Sequence, residues 1–318
     1  MQRDSLWQVC AVGALALAAL GCDDQGSGTP GAPTFAFVTN NPSDFWTIAA
    51  KGVEKAEKEF GIKCEVRLPT DTADQQRIVE DLIARGVTGM AISPINPANQ
   101  TAMLNQACEK MHVICHDSDA ADSNRLCYVG TINYKAGREA GKLIKEVLPD
   151  GGKIMIFVGT MDAQNAQDRY RGVVDEIEGT KIEIVDTRTD NTDRARAKQN
   201  VEDTLTAIPD IACLVGLWEY NGPAILNAVK DAGKEGKIPI VCFDENADTL
   251  QGVRDGHIHA TVVQSPFEFG YHSVRILKAL ADGDRSVIPA NKIYEIPVRI
   301  VRKDNVDAFQ KELEALMQ

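Results

Sequence analysis

Short apolar runs alternate with amphipathic stretches of helical length along almost the whole chain, and no other feature constrains the fold as strongly. The alternation begins with the apolar run 35–38 and the stretch 45–60, whose apolar residues recur at three- and four-residue spacing. It continues in the same way to a last helical stretch at 305–317. Because a helical connection returns the chain to the same end of a sheet, this order predicts parallel strands and an α/β fold.

The number of predicted strands is too large for one compact open sheet. We therefore predict two lobes, each a doubly wound parallel sheet covered by helices. A pair of strands is predicted within 292–302, just before the last helix. The length of 318 residues suits one large or two medium domains, so it is compatible with this division.

The overall charge is acidic, with a formal net charge of −12 and a pI of about 5.0. Nucleic acids and anionic membrane surfaces would repel such a chain. The sequence also has no stretch that resembles a helix-turn-helix segment. We therefore expect no nucleic-acid partner and no direct binding to an anionic membrane surface.

The first 22 residues have the pattern of an export signal. Arg3 precedes an apolar run, VCAVGALALAALG, which is short for a membrane span and ends at Cys22. This end resembles the lipobox of bacterial lipoproteins, in which the cysteine is lipidated, although Ala19 stands where that family prefers leucine. We predict a lipid anchor at Cys22, and a plain secretory signal cleaved nearby is the alternative. Residues 23–33, rich in Gly, Pro, Ser and Asp, are predicted to form a flexible tether.

Six cysteines remain after the predicted signal and lipid site: Cys64, Cys108, Cys115, Cys127, Cys213 and Cys242. All but Cys108 lie in apolar runs, which favours small buried side chains. An even number in an exported protein permits disulfides, and the sequence leaves their pairing open. The spacing of zinc ligands is absent, so no metal is expected.

Polar and aromatic side chains follow the predicted strands, at the end where sheets of this kind bind ligands. They include amides, carboxylates, arginines and three large rings. Planar Asp, Asn, Gln and Arg groups bond several hydroxyls at once, and flat rings cover the C–H faces of a sugar. The set predicts a sugar site, with Asn41 as a hydroxyl partner and a stacking wall from Phe45 or Trp46. The other ring of this pair is explained as the start of the core face of its helix.

Five motifs, in the right order and spacing, resemble those of the periplasmic sugar-binding proteins of the ribose/galactose type. They are NNPSDFW, VICHDSDA, RYRG, VCFDE and TVVQSPFEFG, and the resemblance runs from about Thr34 to about Lys303. Members of that family capture ligands for ABC importers. The resemblance therefore implies a two-lobed, class I binding-protein fold, a monosaccharide or polyol ligand, and the permease subunits of an importer as partners.

The matched motifs imply that Asp117, Arg169, Asp244 and Gln264 bind sugar. The predicted ligand-binding set also includes Ser118, Asp119, Asn165 and a stacking ring from Trp218. This chain departs from the ribose binders where they have an arginine (Ser118), a stacking phenylalanine (Thr192) and an asparagine (Trp218). We expect Trp218 to supply the ring that position 192 lacks, and the identity of the sugar stays open.

The family mechanism implies closure of two lobes around the ligand, after which permease subunits recognise the closed form. Three chain crossings are expected, near Thr131, Gln264 and Pro297. They divide the chain into an N-terminal lobe and a C-terminal lobe, which comprise 34–131 plus 265–297 and 132–264 plus 298–318.

Other functions have less support in the sequence. An enzyme needs a poised nucleophile or an acid/base pair, and Asp117 and Asp119 on a polar loop are better explained as hydrogen-bond acceptors. A receptor that feeds a chemoreceptor or a sensor kinase shares the same binding chemistry and stays open, as do inositol and autoinducer-2 as ligands. We expect a monomer, with no cofactor and no catalytic residue.

Overall fold

The computed structural model describes residues 32–318, of which Pro33–Gln318 form one compact unit. The predicted signal peptide, Cys22 and tether residues 23–31 lie outside the described residues. The helices of this part are α1 Asp44–Phe60, α2 Thr72–Ala84, α3 Pro97–Cys108, α4 Asn133–Val147, α5 Gln164–Ile177, α6 Arg194–Ala207, α7 Asn221–Asp231, α8 Ala247–Asp255, α9 Pro266–Ala281 and α10 Val306–Met317. Its strands are β1 Thr34–Val38, β2 Lys63–Arg67, β3 Gly89–Ile92, β4 His112–His116, β5 Tyr128–Gly130, β6 Gly152–Val158, β7 Ile182–Thr189, β8 Ile211–Gly216, β9 Ile240–Phe243, β10 Ala260–Val263, β11 Ile293–Glu295 and β12 Arg299–Val301.

The first sheet has six parallel strands in the order β11-β5-β4-β3-β1-β2. Its central strand β1 shows why both faces are covered. Phe35 and Phe37 pack with side chains of α1 and α9, while Ala36 and Val38 pack with those of α2 and α3. Successive side chains of a strand point to opposite faces, so a continuous apolar run requires helices on both sides.

The second sheet has six strands in the order β12-β10-β9-β8-β6-β7. Five of them are parallel, and β12 runs antiparallel to β10. The central strand β6 again buries both faces. Ile154 and Ile156 pack toward α4 and α5, and Met155 and Phe157 pack toward helices that include α6 and α7.

Two doubly wound α/β sheets are therefore confirmed, with one exception to the predicted parallel order. The two strands predicted within 292–302 form, and they belong to different sheets. β11 joins β5 in the first sheet, and β12 joins β10 in the second. β11 ends at Glu295 and β12 begins at Arg299, so the chain passes directly from one sheet to the other and forms no hairpin between these strands.

The strand order gives each sheet a crevice at the same kind of position. In the first sheet β1 lies between β3 and β2, and in the second β6 lies between β8 and β7, so the chain winds outward in both directions from these strands. The loops that follow β1 and β3, and those that follow β6 and β8, therefore separate and leave a crevice at the carboxyl ends of the strands.

The chain passes between the two sheets three times, after β5, after β10 and after β11. Helix α4, which follows the first crossing, packs on α5, and α9, which follows the second, packs on α1.

Within residues 32–318 no helix is long and apolar enough to cross a bilayer. The six cysteines of this part are free thiols, and five of them are buried.

Helices α1 and α9 approach closely because each carries a glycine where they cross. A Cβ atom on Gly52 would lie 1.9 Å from the Phe267 carbonyl oxygen, and one on Gly270 would lie 2.0 Å from the Ala49 carbonyl oxygen. Real atoms do not approach so closely, so any side chain at either position would separate the two helices. This contact also positions the start of α1, which carries Phe45 and Trp46.

We predict that Gly52→Ala destabilises the folded chain by about 1–3 kcal/mol, because the added methyl group overpacks the contact between α1 and α9. Chemical denaturation of the chain that begins at residue 32 measures this change in the free energy of unfolding. Lys58→Ala, at an exposed position on the same helix, is the control and should change it by less than about 0.5 kcal/mol. Equal stability of Gly52→Ala and the parent would contradict the described packing.

Candidate functional site

A cavity lies at the carboxyl ends of the strands of both sheets. Nine of the eleven predicted ligand-binding residues line it: Asn41, Phe45, Trp46, Asp117, Asn165, Arg169, Trp218, Asp244 and Gln264. Four further residues complete the lining, namely Asn40, Ser43, Glu219 and Tyr220.

Asp117 is buried at the end of β4, and three side chains hold its carboxylate. Asn40 Nδ2, Ser93 Oγ and Asn165 Nδ2 all donate to Asp117 Oδ2, at 3.1, 2.8 and 3.1 Å. Burial raises the pKa of this carboxyl, and Arg169 together with the three donors opposes the rise. The remaining oxygen, Oδ1, is left to meet the cavity.

The contact between Asn165 and Asp117 joins the two sheets through the cavity wall. Asn165 lies in the first turn of α5, which packs on the second sheet, whereas Asp117 follows β4 of the first. The amide nitrogen of Asn165 is used in this contact, and its Oδ1 is buried without a partner. Asn165 thus connects the two sides and still offers an acceptor.

Arg169, also on α5, is 1% exposed and lies at the base of the cavity. Its Nε donates to Asn133 Oδ1 at 2.8 Å, and its Nη1 donates to the Leu217 carbonyl oxygen at 2.6 Å. The guanidinium carbon stacks 4.5 Å from the centre of the Phe243 ring. Its Nη2 has no partner, so a buried cation presents an unused donor.

Asp244 follows β9 and faces Arg169, with 4.0 Å between Asp244 Oδ2 and Arg169 Nη1. Gln264 Nε2 donates to Asp244 Oδ1 at 2.9 Å, which leaves Gln264 Oε1 buried without a partner. Burial raises the pKa of Asp244 to about 7, against the opposing effect of Arg169. This carboxyl therefore changes its charge near neutral pH.

The aromatic residues line two parts of the wall. Phe45 and Trp46 meet edge to face at 4.8 Å, and both belong to the core of the first lobe while bordering the cavity. Trp218 follows β8 and packs so closely over Gly159 that a Cβ there would lie 2.0 Å from its ring. Its Nε1 is buried without a partner. Thr192, where we expected no ring, is not among the lining residues.

Two of the predicted ligand-binding residues, Ser118 and Asp119, are not brought to the cavity. The carboxylate of Asp119 forms an ion pair with Arg125, so it is already used within the loop. Ser118 is fully buried, and its hydroxyl has no partner. Asp117, which directly precedes these two residues, has a left-handed backbone with a φ of 57°.

Glu219 and Tyr220 were missed by the sequence analysis, although they directly follow Trp218. Asn246 donates to one oxygen of Glu219, while the other, Oε2, is buried without a partner. The Tyr220 hydroxyl donates to Asp190 Oδ1 at 2.5 Å. The available signal was their place after a predicted strand, within the stretch that contains Trp218. Asn40 was visible in the same way beside Asn41.

Six buried polar atoms of the cavity lack partners within the described residues. Two are donors and four are acceptors: Arg169 Nη2, Trp218 Nε1, Asn41 Oδ1, Asn165 Oδ1, Glu219 Oε2 and Gln264 Oε1. Buried polar groups are rarely left unpaired because each one costs free energy. A small molecule with several groups that both donate and accept would satisfy them. No cluster of three His, Cys, Asp or Glu suitable for a metal ion occurs in residues 32–318.

Comparisons with known proteins agree with this geometry. Residues 35–285 match the family model described as a periplasmic binding protein domain. The ribose import binding protein RbsB of Bacillus subtilis is 30% identical over 229 residues, which cover 71% of this chain and 73% of the relative. The D-allose-binding periplasmic protein of Escherichia coli is 25% identical over 271 residues, which cover 80% and 86%.

Solved structures with the same fold include two at similar identity. A solute-binding protein of an ABC transporter from Burkholderia graminis, in complex with D-arabinose, is 30% identical, with a TM-score of 0.82. The match covers 86% of this chain and 96% of that one. GanP, a glucose-galactose binding protein from Geobacillus stearothermophilus, is 28% identical with a TM-score of 0.81, over 86% and 98%.

We predict that the stability gain of Asp244→Asn relative to the parent, without ligand, increases as the pH rises. The native carboxyl, with its pKa raised to about 7, keeps a proton that the unfolded chain loses, so the parent loses stability as pH rises from about 4 to about 7. Asparagine does not titrate, and the difference should grow by about 4 kcal/mol across this range.

Chemical denaturation of both proteins at several pH values measures this difference. Asp255→Asn, at an exposed position in the same lobe, is the charge-matched control. The raised pKa of Asp244 would be refuted if the difference in unfolding free energy between Asp244→Asn and the parent varied no more with pH than the same difference for Asp255→Asn.

Proposed function

Because the chain belongs to the periplasmic binding protein domain family, we propose that it captures a monosaccharide or a related polyol between its two lobes and delivers it to the permease subunits of an ABC importer. The observation that carries the proposal is the set of six unpartnered polar atoms around one cavity. The names of similar proteins, which include binders of ribose, allose and arabinose, support the same ligand class.

A sugar satisfies the unpartnered atoms because each hydroxyl both donates and accepts a hydrogen bond. In the proposed complex, Arg169 Nη2 and Trp218 Nε1 donate to sugar oxygens, and the amide oxygens of Asn41, Asn165 and Gln264 accept from hydroxyls. Asp117 and Asp244 accept in the same way. Phe45, Trp46 and Trp218 cover the apolar faces of the ring. A sugar that lacks or inverts one hydroxyl leaves a buried group unpaired, which produces specificity.

Closure of the lobes is the proposed conformational step. We assign 34–131 plus 265–297 to the N-terminal lobe and 132–264 plus 298–318 to the C-terminal lobe, with hinges near Thr131, Gln264 and Pro297. The membership of the strands in two sheets supports this division. A ligand that bonds Asp117 on one lobe and Arg169 on the other stabilises the closed form, as the Asn165–Asp117 hydrogen bond does.

The proposed function involves binding and no chemical step. The histidine nearest to the site, His116, is stacked on Phe37 at 4.0 Å, and its Nε2 lies 3.1 Å from the Val38 carbonyl oxygen. Burial lowers its pKa to about 3, so it stays neutral and does not act as a base for the cavity. The carboxylates that border the cavity are held by amides and Arg169, an arrangement typical of recognition.

We predict that one or two members of a panel of pentoses, hexoses and polyols raise the thermal unfolding midpoint of the mature chain by several degrees. A ligand that binds the native state alone stabilises it in proportion to the logarithm of its concentration. Isothermal titration then gives the dissociation constant of each sugar that produces a shift. A flat response across the whole panel, with inositol and autoinducer-2 included, would contradict the proposed ligand class.

The same titration tests the site. Asn165→Ala removes an acceptor for the ligand and the contact with Asp117, so binding of the identified sugar should weaken at least about tenfold. Gln167→Ala, at an exposed position on the same helix, is the control and should bind as the parent does. Parent-like affinity in Asn165→Ala would remove this residue from the site.

We also propose that the chain is exported and anchored through a lipid on Cys22. In a bacterial host that processes lipoproteins, the parent should incorporate a labelled fatty acid and sediment with membranes, because acyl chains partition into the bilayer. Cys22→Ser should lose the label, whereas Cys10→Ser, inside the predicted signal, should keep it. A parent without label would favour the plain secretory signal, and label that persists in Cys22→Ser would place the lipid on another residue.

A further inference from the structure

The cavity contains more negative than positive charge. Three carboxyl groups, those of Asp117, Glu219 and Asp244, line it together with a single guanidinium, that of Arg169. With Asp244 protonated and the other three groups ionised, the formal charge of the lining is −1, and with all four ionised it is −2. A neutral sugar contributes no charge of its own, so it leaves this excess in a water-poor site where it is costly.

The three carboxyl groups are not equally satisfied by the protein. Three donors hold Asp117, and Asp244 has Gln264 and Arg169 beside it. Glu219 receives one hydrogen bond, from Asn246 to Oε1. Its Oε2 has no partner, although the residue is only 5% exposed. Of the three carboxyl groups, that of Glu219 therefore has the fewest partners within the protein.

The surroundings of Glu219 do not neutralise it. Arg194 attracts its charge and Asp44 repels it, and both of these residues are exposed. Glu245, next to Asp244, is buried with an unpartnered Oε2 and adds negative charge behind the wall. Burial raises the pKa of Glu219, as expected for a carboxyl that lacks a permanent counter-charge. No metal cluster is present in residues 32–318 that would use these groups instead.

We propose that the cavity selects an amino sugar, a polyhydroxylated ring with one protonated amine, and that Glu219 Oε2 accepts a hydrogen bond from the ammonium group. The inference rests on the proposed sugar-binding function and narrows its substrate class. The hydroxyls of the ring bind the amides, Arg169 and the aromatic wall, as a neutral sugar would. The ammonium group supplies the missing counter-charge.

An ammonium group at this position contributes more to the binding affinity than a hydroxyl group does. A hydrogen bond between two charged partners is stronger than one from a neutral donor, and it removes the cost of an unpaired buried carboxylate. The difference corresponds to about tenfold or more in affinity. The same charge excess repels sugar acids and sugar phosphates, which the cavity should therefore reject.

The test compares matched ligands on the mature chain by thermal shift and isothermal titration at neutral pH, where most of each amine is protonated and the carboxyl groups of the cavity are more ionised than in acid. The probes are D-glucosamine, D-galactosamine, D-mannosamine, the 3-amino and 6-amino analogues of D-glucose, and the corresponding amino pentoses. Each is paired with its neutral parent sugar and its N-acetyl derivative, which keeps the substituent and removes the charge. Galacturonate is the anionic control.

At least one amino sugar should bind about tenfold or more tightly than its neutral parent. Glu219→Gln, which keeps the shape of the side chain and removes the charge, should abolish this preference while the neutral parent still binds. Glu183→Gln, at an exposed position in the same lobe, removes one charge elsewhere and should preserve it. The thermal midpoint of each variant without ligand shows that it is folded.

The possible results separate the two proposals. A neutral sugar that binds as tightly as its amino counterpart overturns the charge inference and leaves the sugar-binding function intact. A preference for the amine that persists in Glu219→Gln overturns the role of Glu219. No binding by either class overturns the inference together with the sugar-binding proposal.

Discussion

The buried guanidinium of Arg169 is the interaction on which the rest of the site depends. A cation that is removed from water needs several oriented partners, and Arg169 finds them in Asn133, the Leu217 carbonyl oxygen and the Phe243 ring. Asn133 also donates from Nδ2 to the main-chain carbonyl oxygen of Asp117, at 3.0 Å. One amide therefore positions the arginine of the second lobe and the backbone of the main acceptor of the first, directly after the first chain crossing.

The two aspartates beside this arginine share an unusual backbone. Asp117 and Asp244 each follow a strand, with φ values of 57° and 69° in the left-handed region, which most residues avoid. Their carbonyl oxygens are held by side chains of the same lobe, Tyr128 for Asp117 and Thr261 for Asp244, at 2.8 Å each. The scaffold thus fixes a costly turn at equivalent places in both sheets, which is typical of sites that are organised before a ligand arrives.

Much of the fold follows from local patterns in the sequence. The alternation of apolar runs and amphipathic stretches predicted the first and last helices, 45–60 and 305–317, to within one residue of the observed Asp44–Phe60 and Val306–Met317. A helix that buries one face repeats its apolar residues every three or four positions, so its position can be recognised in the sequence. The orientation of β12 was not predictable in this way. Its three residues carry no signal for direction, and their pairing depends on where the chain arrives after it leaves β11.

The sequence by itself determined the two-sheet α/β architecture and most of the chemistry at the strand ends, since residue type and order are local information. Only the tertiary structure decided which strand-end groups face one cavity. It left Ser118 and Asp119 outside the cavity lining, with the carboxylate of Asp119 paired with Arg125, and it placed Glu219 in the lining. It also showed which atoms remain unpaired. Pairing depends on distances between residues far apart in the chain, and these exist only after the lobes have folded.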